Sequence, residues 1–453
     1  MAQRFNKKCK LTPGVFMHLL RVQVPDFRGL KNIDITFEKD FFPNIFPLGS
    51  QNGGGKSTLL QLIFVLLHCS VDDEKKRFLA NLLQGFKIYD GEDKRVLAVI
   101  DIWDGEKVVK LQFISYKDYY VKKILDLDSK KETIEEEYLC FSTLKKFKNV
   151  TAYLLKQISL NPQRNEEQIV TSRKEHKKLE VISEEIIKYL ESEDMTYICN
   201  YSSDRNSHDK RDEALLCHFN NIDSKETECF FNELSHKIFL AAPSTQIFLF
   251  FSQDYRKLLF GTSNEEDRNY YGILESAKSK LKCLFTYDFL AVELLIELFR
   301  TARDLDFREA IKTGIYGNNY QTLIKELNLL LGNKRINLNE DFSGINFKLY
   351  NNGETLELYP DDLSHGELKR LSIYIWLKSR NIEDAIVLMD EVEIAFHPDW
   401  QYQIISDLKE WAPSNQYILA THSYALCEAL TPAHVKEIEP KLIKQESNIT
   451  NES

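Results

Sequence analysis

Pairs of cysteines at the two-residue spacing of a zinc or redox site are missing from this chain. Its eight cysteines stand singly, at positions 9, 69, 140, 199, 217, 229, 283 and 427. Several fall inside apolar runs, as Cys69 does in "FVLLHCS", and so read as reduced thiols in a cytoplasmic protein. Long hydrophobic runs are missing too. The longest, "LIFVLLHC", is far shorter than the ~20 residues a membrane helix needs. The opening "MAQRFNKKCKLTPG" has no apolar core of a secretion signal, and none is expected. Positive charge is not in excess: 59 Lys and Arg face 69 Asp and Glu, a net charge of −10, which excludes a uniformly basic nucleic-acid coat. Internal repeats and sustained heptads are absent, which argues against solenoids and long coiled-coil arms.

What is present is the alternation of an α/β protein. "FMHLLRVQVP" and the "IDITF" stretch alternate as strands do, with "DFRGLKN" turning between them. "NIFPLG" is a short buried strand, and "KSTLLQLIFVLLHC" is apolar on nearly every face, as a helix inside a sheet domain must be. "RVLAVIDIW" and "KVVKLQFISY" flank an Asp-Gly turn and form a hairpin. From about residue 117 the chain becomes charge-dense and helical, with a polar loop at "NYSSDRNSHDKRDE". "KIFLAAPSTQIFLFF" returns to buried strand, and "INFKLYNNGETLELY" is a further hairpin. The final "AIVLMDE", "WQYQIISDLKEW" and "QYILATHS" run strand, helix, strand, the parallel pattern.

Four stretches carry chemistry. In "PLGSQNGGGKSTLL", Gly53, Gly54 and Gly55 let successive backbone N–H groups turn inward without a Cβ in the way, at a helix N-terminus. Lys56 adds a point charge for phosphates, and the Ser57 hydroxyl can bind Mg²⁺. Ser50, Asn52 and Thr58 complete the candidate cradle. Ser50 stands where such a loop ordinarily has its first glycine, so a slight rearrangement is expected there.

"AIVLMDE" delivers Asp390 and Glu391 at the carboxyl end of a buried strand, where ligands of such sheets bind. Asp390 would hold Mg²⁺, and Glu391 would orient or deprotonate an attacking water. In "DDLSHGELKR", Ser364 and Gly366 open a helix with a hydroxyl and free N–H groups, a second phosphate site. With Glu367 three positions on, Ser364 is by itself also an ordinary capping box. "QYILATHS" ends a strand at His422, within reach of a γ-phosphate.

A phosphate loop, a late LSxGE, an apolar strand ending in Asp-Glu and a strand-terminal histidine, in that order, resemble the ABC-class ATPases. The "LLRVQVPDFRGLKNIDITF" opening and "DEVEIAFHP" look like the SMC, RecF and overcoming-lysogenization-defect branch. The resemblance covers the first 70 residues and 350–437. Its wording is most similar to anti-phage ATPases of the Septu type, with retron and PARIS ATPases as close relatives. It implies an α/β fold: an ABC-type P-loop head with an antiparallel β subdomain and an inserted helical lobe. The division expected is 1–115 for the first half of the head, 116–237 for an inserted mainly helical region, and 238–255 for a core strand with a metal-linked glutamine. A helical lobe at 256–339, the second half at 340–440 and a disordered tail at 441–453 complete it.

The resemblance further implies ATP and Mg²⁺ as cofactors and a homo-oligomer built from ATP-sandwich dimers. Lys56, Ser57, Asp390, Glu391 and His422 would serve one half-site, with Ser364, Gly366 and Glu367 completing the opposite one. The glutamine that links Mg²⁺ to the helical lobe is expected at Gln246, with Gln253 nearly as good. No nuclease constellation is visible in the sequence, so a separately encoded nuclease of HNH type is the implied partner, with DNA contact through the complex and no membrane. Against this stands a DNA-repair clamp of RecF type that binds duplex directly through lysine clusters such as "LKKFKN" and "RKEHKK". A transporter ATPase fits least, given the opening strands and the large insertions.

Overall fold

We describe a computed structural model over residues 16–50, 53–124, 139–160, 166–203, 212–222, 224–252, 256, 270–287, 292–351 and 354–438. In chain order the elements are β1 (His18–Phe27), β2 (Leu30–Thr36), β3 (Ile45–Gly49), α1 (Lys56–His68), α2 (Lys76–Leu83), β4 (Lys94–Trp103) and β5 (Val108–Lys117). Then come α3 (Val121–Ile124), α4 (Ser142–Leu160), α5 (Glu166–Ser192), β6 (Met195–Ser202), β7 (Asp212–Asn220), α6 (Ser224–Lys237), β8 (Ile238–Ala242), α7 (Tyr270–Lys280) and β9 (Leu284–Thr286). The chain continues through α8 (Val292–Thr313), α9 (Asn319–Leu330), β10 (Lys334–Leu338), β11 (Ile345–Asn351), β12 (Glu354–Leu358) and α10 (His365–Ser379). It ends with β13 (Ile386–Asp390), α11 (Pro398–Trp411), β14 (Gln416–Thr421), α12 (Tyr424–Glu428) and β15 (Lys436–Glu437).

The apolar runs decide the centre. β13 and β14 are buried along their whole length, which a strand tolerates only when both faces of its sheet are covered. They lie in a six-stranded sheet of order β15-β3-β14-β13-β8-β9, in which every pairing is parallel. The period of two sorts their side chains. Ile386, Leu388, Ile418 and Ala420 join the core that holds α1, whereas Val387, Met389, Tyr417 and Leu419 join the core that holds α10 and α11.

On the α1 side the second cover is an antiparallel sheet of order β2-β1-β4-β5-β7-β6. Helix α1 is therefore enclosed between two sheets, and Leu59 through Leu67 are all buried. Each such leucine or phenylalanine contributes about 1.5–3 kcal/mol of transfer free energy. The Gln416 side chain ties the two sheets together: its amide donates to the Leu19 carbonyl at 2.9 Å and accepts the Leu19 N–H at 2.7 Å.

Two stretches differ from the sequence reading. The region expected to be mainly helical supplies β6 and β7, which extend the antiparallel sheet by pairing onto β5. The polar stretch 200–213, expected as a loop, lends its ends to both strands, and 204–211 lies outside the described residues. The run after β8 does not stay extended. Pro243 ends the strand, and Ser244–Phe250 winds into a 3₁₀ segment. The expected tail at 441–453 also lies outside the described residues.

Helices α8 and α9, with the three-stranded sheet β10-β11-β12, form the helical lobe, whose core contains Leu295, Phe299, Leu327, Phe347 and Leu363. Helix α10 belongs to both bodies. Its Leu371, Tyr374 and Ile375 pack into the lobe, while Ile373, Trp376 and Leu377 pack against the parallel sheet. Among the described residues no helix is long and apolar enough to cross a membrane.

Candidate active site

Four neighbouring strands, β3, β14, β13 and β8, set the chemistry on one rim. Gly49 is level with Thr421, Asp390 with Ala420, and Met389 with Ala241, so the segments leaving these strands start from a common edge. That edge is the carboxyl end of a parallel sheet, where ligands of open α/β folds bind.

The glycine-rich loop fills the step from β3 to α1. Gly53 and Gly55 hold φ of 79° and 86°, left-handed values that a Cβ would strain. At Gly55 a Cβ would also lie 2.5 Å from Leu30 Cδ2. Ser50 is not among the residues of positive φ, so the loop needs no glycine there. Instead the Ser50 hydroxyl and carbonyl accept the Lys56 ammonium at 3.0 and 3.1 Å. Lys56 is buried, and its Nζ lies 3.4 Å from His422 Nδ1. Burial lowers its pKa, while Asp390, Glu393 and Glu391 pull it back up.

Asp390, 1% exposed, accepts a hydrogen bond from the Gln246 amide. Burial raises its pKa; the Gln246 and Ser57 side chains oppose the rise and the charges of Glu391 and Glu393 add to it. Gln246 sits on the 3₁₀ segment beyond β8, and its Oε1 accepts from Gln61 Nε2 at 2.8 Å. Glu391 adopts φ 52°, an outlier of the kind that concentrates at functional sites. Its carbonyl accepts the Lys369 ammonium at 2.7 Å, so α10 holds the turn that carries it.

The structure thus brings Ser50, Gly53 to Gly55, Lys56, Ser57, Thr58, Asp390, Glu391, Gln246 and His422 to one rim. Asn52 and Gln253 lie outside the described residues. Ser364, Gly366 and Glu367 stand at the start of α10. Ser364 is exposed and shares a capping box with Glu367: its N–H and hydroxyl each donate to Glu367 Oε2 at 2.9 Å. Burial works against the Glu367 carboxylate, but Lys334 and Ser364 hold it below its ordinary value. Gly366 is needed for a close approach, since a Cβ there would meet the Ala395 carbonyl at 2.8 Å.

Two residues escaped sequence reasoning. Gln61 is 1% exposed inside an otherwise apolar helix. Glu393 is buried and accepts the His422 N–H at 2.7 Å, and its Oε2 has no hydrogen-bond partner among the described residues. The second glutamate of "DEVE" was the only available signal for the latter.

As a metal site, Asp390, Ser57 and Gln246 offer oxygen donors, the kind Mg²⁺ prefers. Among the described residues no cluster of three or more His, Cys, Asp or Glu forms a ready cage. That suits Mg²⁺, which takes one or two protein oxygens and completes its shell with phosphate and water. The residues present fit such an ion.

A glycine-rich anion cradle, a buried lysine and strand-end carboxylates on a parallel sheet define a P-loop ATPase head, here joined to an antiparallel β sheet and a helical lobe. The chain belongs to the AAA ATPase domain family, which matches residues 17–426. It is 36% identical over 69 residues, 14% of its length, to the "Retron Vc95 probable ATPase" of Vibrio cholerae serotype O1 biovar El Tor. It is 32% identical over 105 residues, 22% of its length, to the "DNA replication and repair protein RecF" of Saccharophagus degradans. The chain spans 13% and 28% of the lengths of these relatives. Among solved structures, the Smc head with an extended coiled coil bound to the C-terminal domain of ScpA, from Pyrococcus furiosus, aligns over 91% of this chain and 92% of that one, at 13% identity and a TM-score of 0.33.

Proposed function

We propose that the ATPase works as one half of an ATP-clasping pair of identical subunits, within an anti-phage defence complex that restrains or releases a separately encoded nuclease of HNH type. The observation that supports the pairing is the exposed position of Ser364 at the head of α10. Lys56, Ser57 and Asp390 lie on the sheet rim, while the exposed Ser364 heads a helix whose own contacts run to Glu367 and the loop beyond β13. A second copy can supply that serine-led helix end to the open side of a bound triphosphate.

In this reading the loop N–H groups and Lys56 bind the phosphates of ATP. Ser57, Asp390 and Gln246 would hold Mg²⁺, which neutralises charge on the phosphates when bound. Glu391 takes the proton of the attacking water, and His422, steadied through its backbone by Glu393, faces the terminal phosphate. The defence role draws support from the likeness to the retron ATPase, and the nuclease partner follows from that role.

Mass measurement of the purified chain with and without ATP tests the pairing. ATP-dependent doubling of mass is expected, and its loss in Ser364→Arg is the check on geometry. A constant mass in all nucleotide states sinks it. The likeness to RecF favours a second reading, direct duplex binding, to which the exposed Lys145 and Lys148 of α4 would contribute. Salt-dependent binding of duplex DNA by the chain alone would favour it over the scaffold.

A further inference from the structure

Helix α1 runs from Leu59 to Leu67 through the interior with one polar side chain, Gln61. An amide buried among leucines costs free energy unless its groups are satisfied, so its presence asks for a reason. Gln61 lies one helical turn beyond Ser57 and on the same face. Its Nε2 donates to Gln246 Oε1 at 2.8 Å, and Gln246 Nε2 donates to Asp390 Oδ2.

The direction of this chain of bonds is dictated by its end. A carboxylate only accepts, so Gln246 must turn its NH₂ toward Asp390 and its oxygen toward Gln61. A hard cation between Asp390 and Ser57 demands the reverse, because it takes oxygens and repels N–H groups. Gln246 then presents Oε1 to the ion, and its NH₂ swings to residue 61. Only a side chain that can both donate and accept satisfies Gln246 in both states. Glutamine does; leucine and lysine do not, and a glutamate carboxylate serves the cation-bound polarity alone.

We propose that Gln61 is a positioning residue for the metal site, whose amide reverses together with that of Gln246 when the cation enters. The inference rests on the metal-site reading above and goes beyond it by assigning a partner to Gln246. Its action is through Gln246, without contact to nucleotide.

The test is Mn²⁺ titration, followed by electron paramagnetic resonance, of the full chain saturated with a non-hydrolysable ATP analogue. Nucleotide affinity in EDTA serves as the second readout. Gln61→Leu is expected to lose about tenfold or more in Mn²⁺ affinity, the usual scale for an outer-shell partner, with EDTA nucleotide affinity unchanged. Gln61→Glu, which fixes the cation-bound polarity, is expected to bind Mn²⁺ at least as tightly as the parent. In a Gln246→Ala background, Gln61→Leu is expected to add nothing. Parent-like Mn²⁺ binding by Gln61→Leu, or equal losses in the leucine and glutamate variants, overturns the proposal. Should Gln61→Leu fail to fold, Gln61→Glu decides alone: a loss of Mn²⁺ affinity refutes the coupled reversal. If the parent itself binds no Mn²⁺, the metal-site reading falls and this inference with it; if only the variant pattern fails, the metal site stands.

Discussion

The ammonium of Lys56 rests 3.0 Å from the hydroxyl of Ser50, the residue that takes the first glycine's place in the loop. The lysine is folded back across its own cradle and held there by a side chain that a glycine would lack. Ser50 therefore parks the cation without occupying left-handed space. Lys56→Ala should lower ATP affinity by roughly ten- to a hundredfold, the scale of one charge-assisted bond. Ser50→Gly should leave it unchanged. Fluorescent-nucleotide titration checks both, and parent-like affinity in Lys56→Ala would remove the lysine from the site.

Glu391 emerges from β13 in a left-handed turn whose carbonyl is gripped by Lys369. Its proposed work is proton removal from water, which contributes a factor of about 10²–10⁴. Glu391→Gln keeps the shape and loses the base. Hydrolysis should fall by that factor while ATP still binds, so the ATP-bound oligomer should accumulate on size exclusion. Turnover at the parent rate would assign the base elsewhere.

The residues that end apolar runs were the ones sequence reading found. Asp390 ends and His422 follows a strand whose every side chain is buried, and Lys56 opens a helix without a polar face, so each stands out as chemistry at the edge of core. Gln61 and Glu393 were invisible for the converse reason. Polar residues next to buried segments read as solvent-facing until the partner's position is known, and Gln246 and His422 are distant in the chain. Strands β6 and β7 were masked by the charge-dense helices before them, because their pairing partner, β5, precedes that whole insertion. The double duty of α10 was equally hidden. Its apolar residues run on without a polar stripe because two cores, not one, take them up.

Where α10 meets α11, Arg370 lays its guanidinium against Asp407, with Nε–Oδ2 of 2.6 Å and Nη2–Oδ1 of 2.8 Å. The Asp407 side chain is only 5% exposed, so the pair is a desolvated one. Removing one partner strands a buried charge at a cost of about 3–5 kcal/mol, whereas replacing both with apolar groups is often neutral. Arg370→Leu should therefore be markedly less stable to urea than the double variant Arg370→Leu with Asp407→Leu. If the double variant is as unstable as the single one, the bond joins α10 to α11 by more than charge compensation.

His68 makes stability depend on pH through a group outside the nucleotide site. Its ring stacks on Phe64 at 4.9 Å, and Nδ1 lies 2.7 Å from the Ser235 carbonyl, to which it donates when neutral. Burial, aided by the charge of Lys75, pushes its pKa from 6.5 down to about 4, and the Ser235 bond opposes the fall only partly. Between those values the unfolded chain takes up a proton that the folded one refuses, so stability rises with pH across the window. The contribution is complete above the unfolded value of 6.5 and is lost as pH falls toward 4. At 1.36 kcal/mol per unit the full span is about 3 kcal/mol. His68→Gln keeps a donor for Ser235 but cannot titrate. Urea midpoints measured from pH 4.5 to 7.5 should slope more steeply in the parent than in His68→Gln, and parallel curves would show that the imidazole takes up its proton equally in both states.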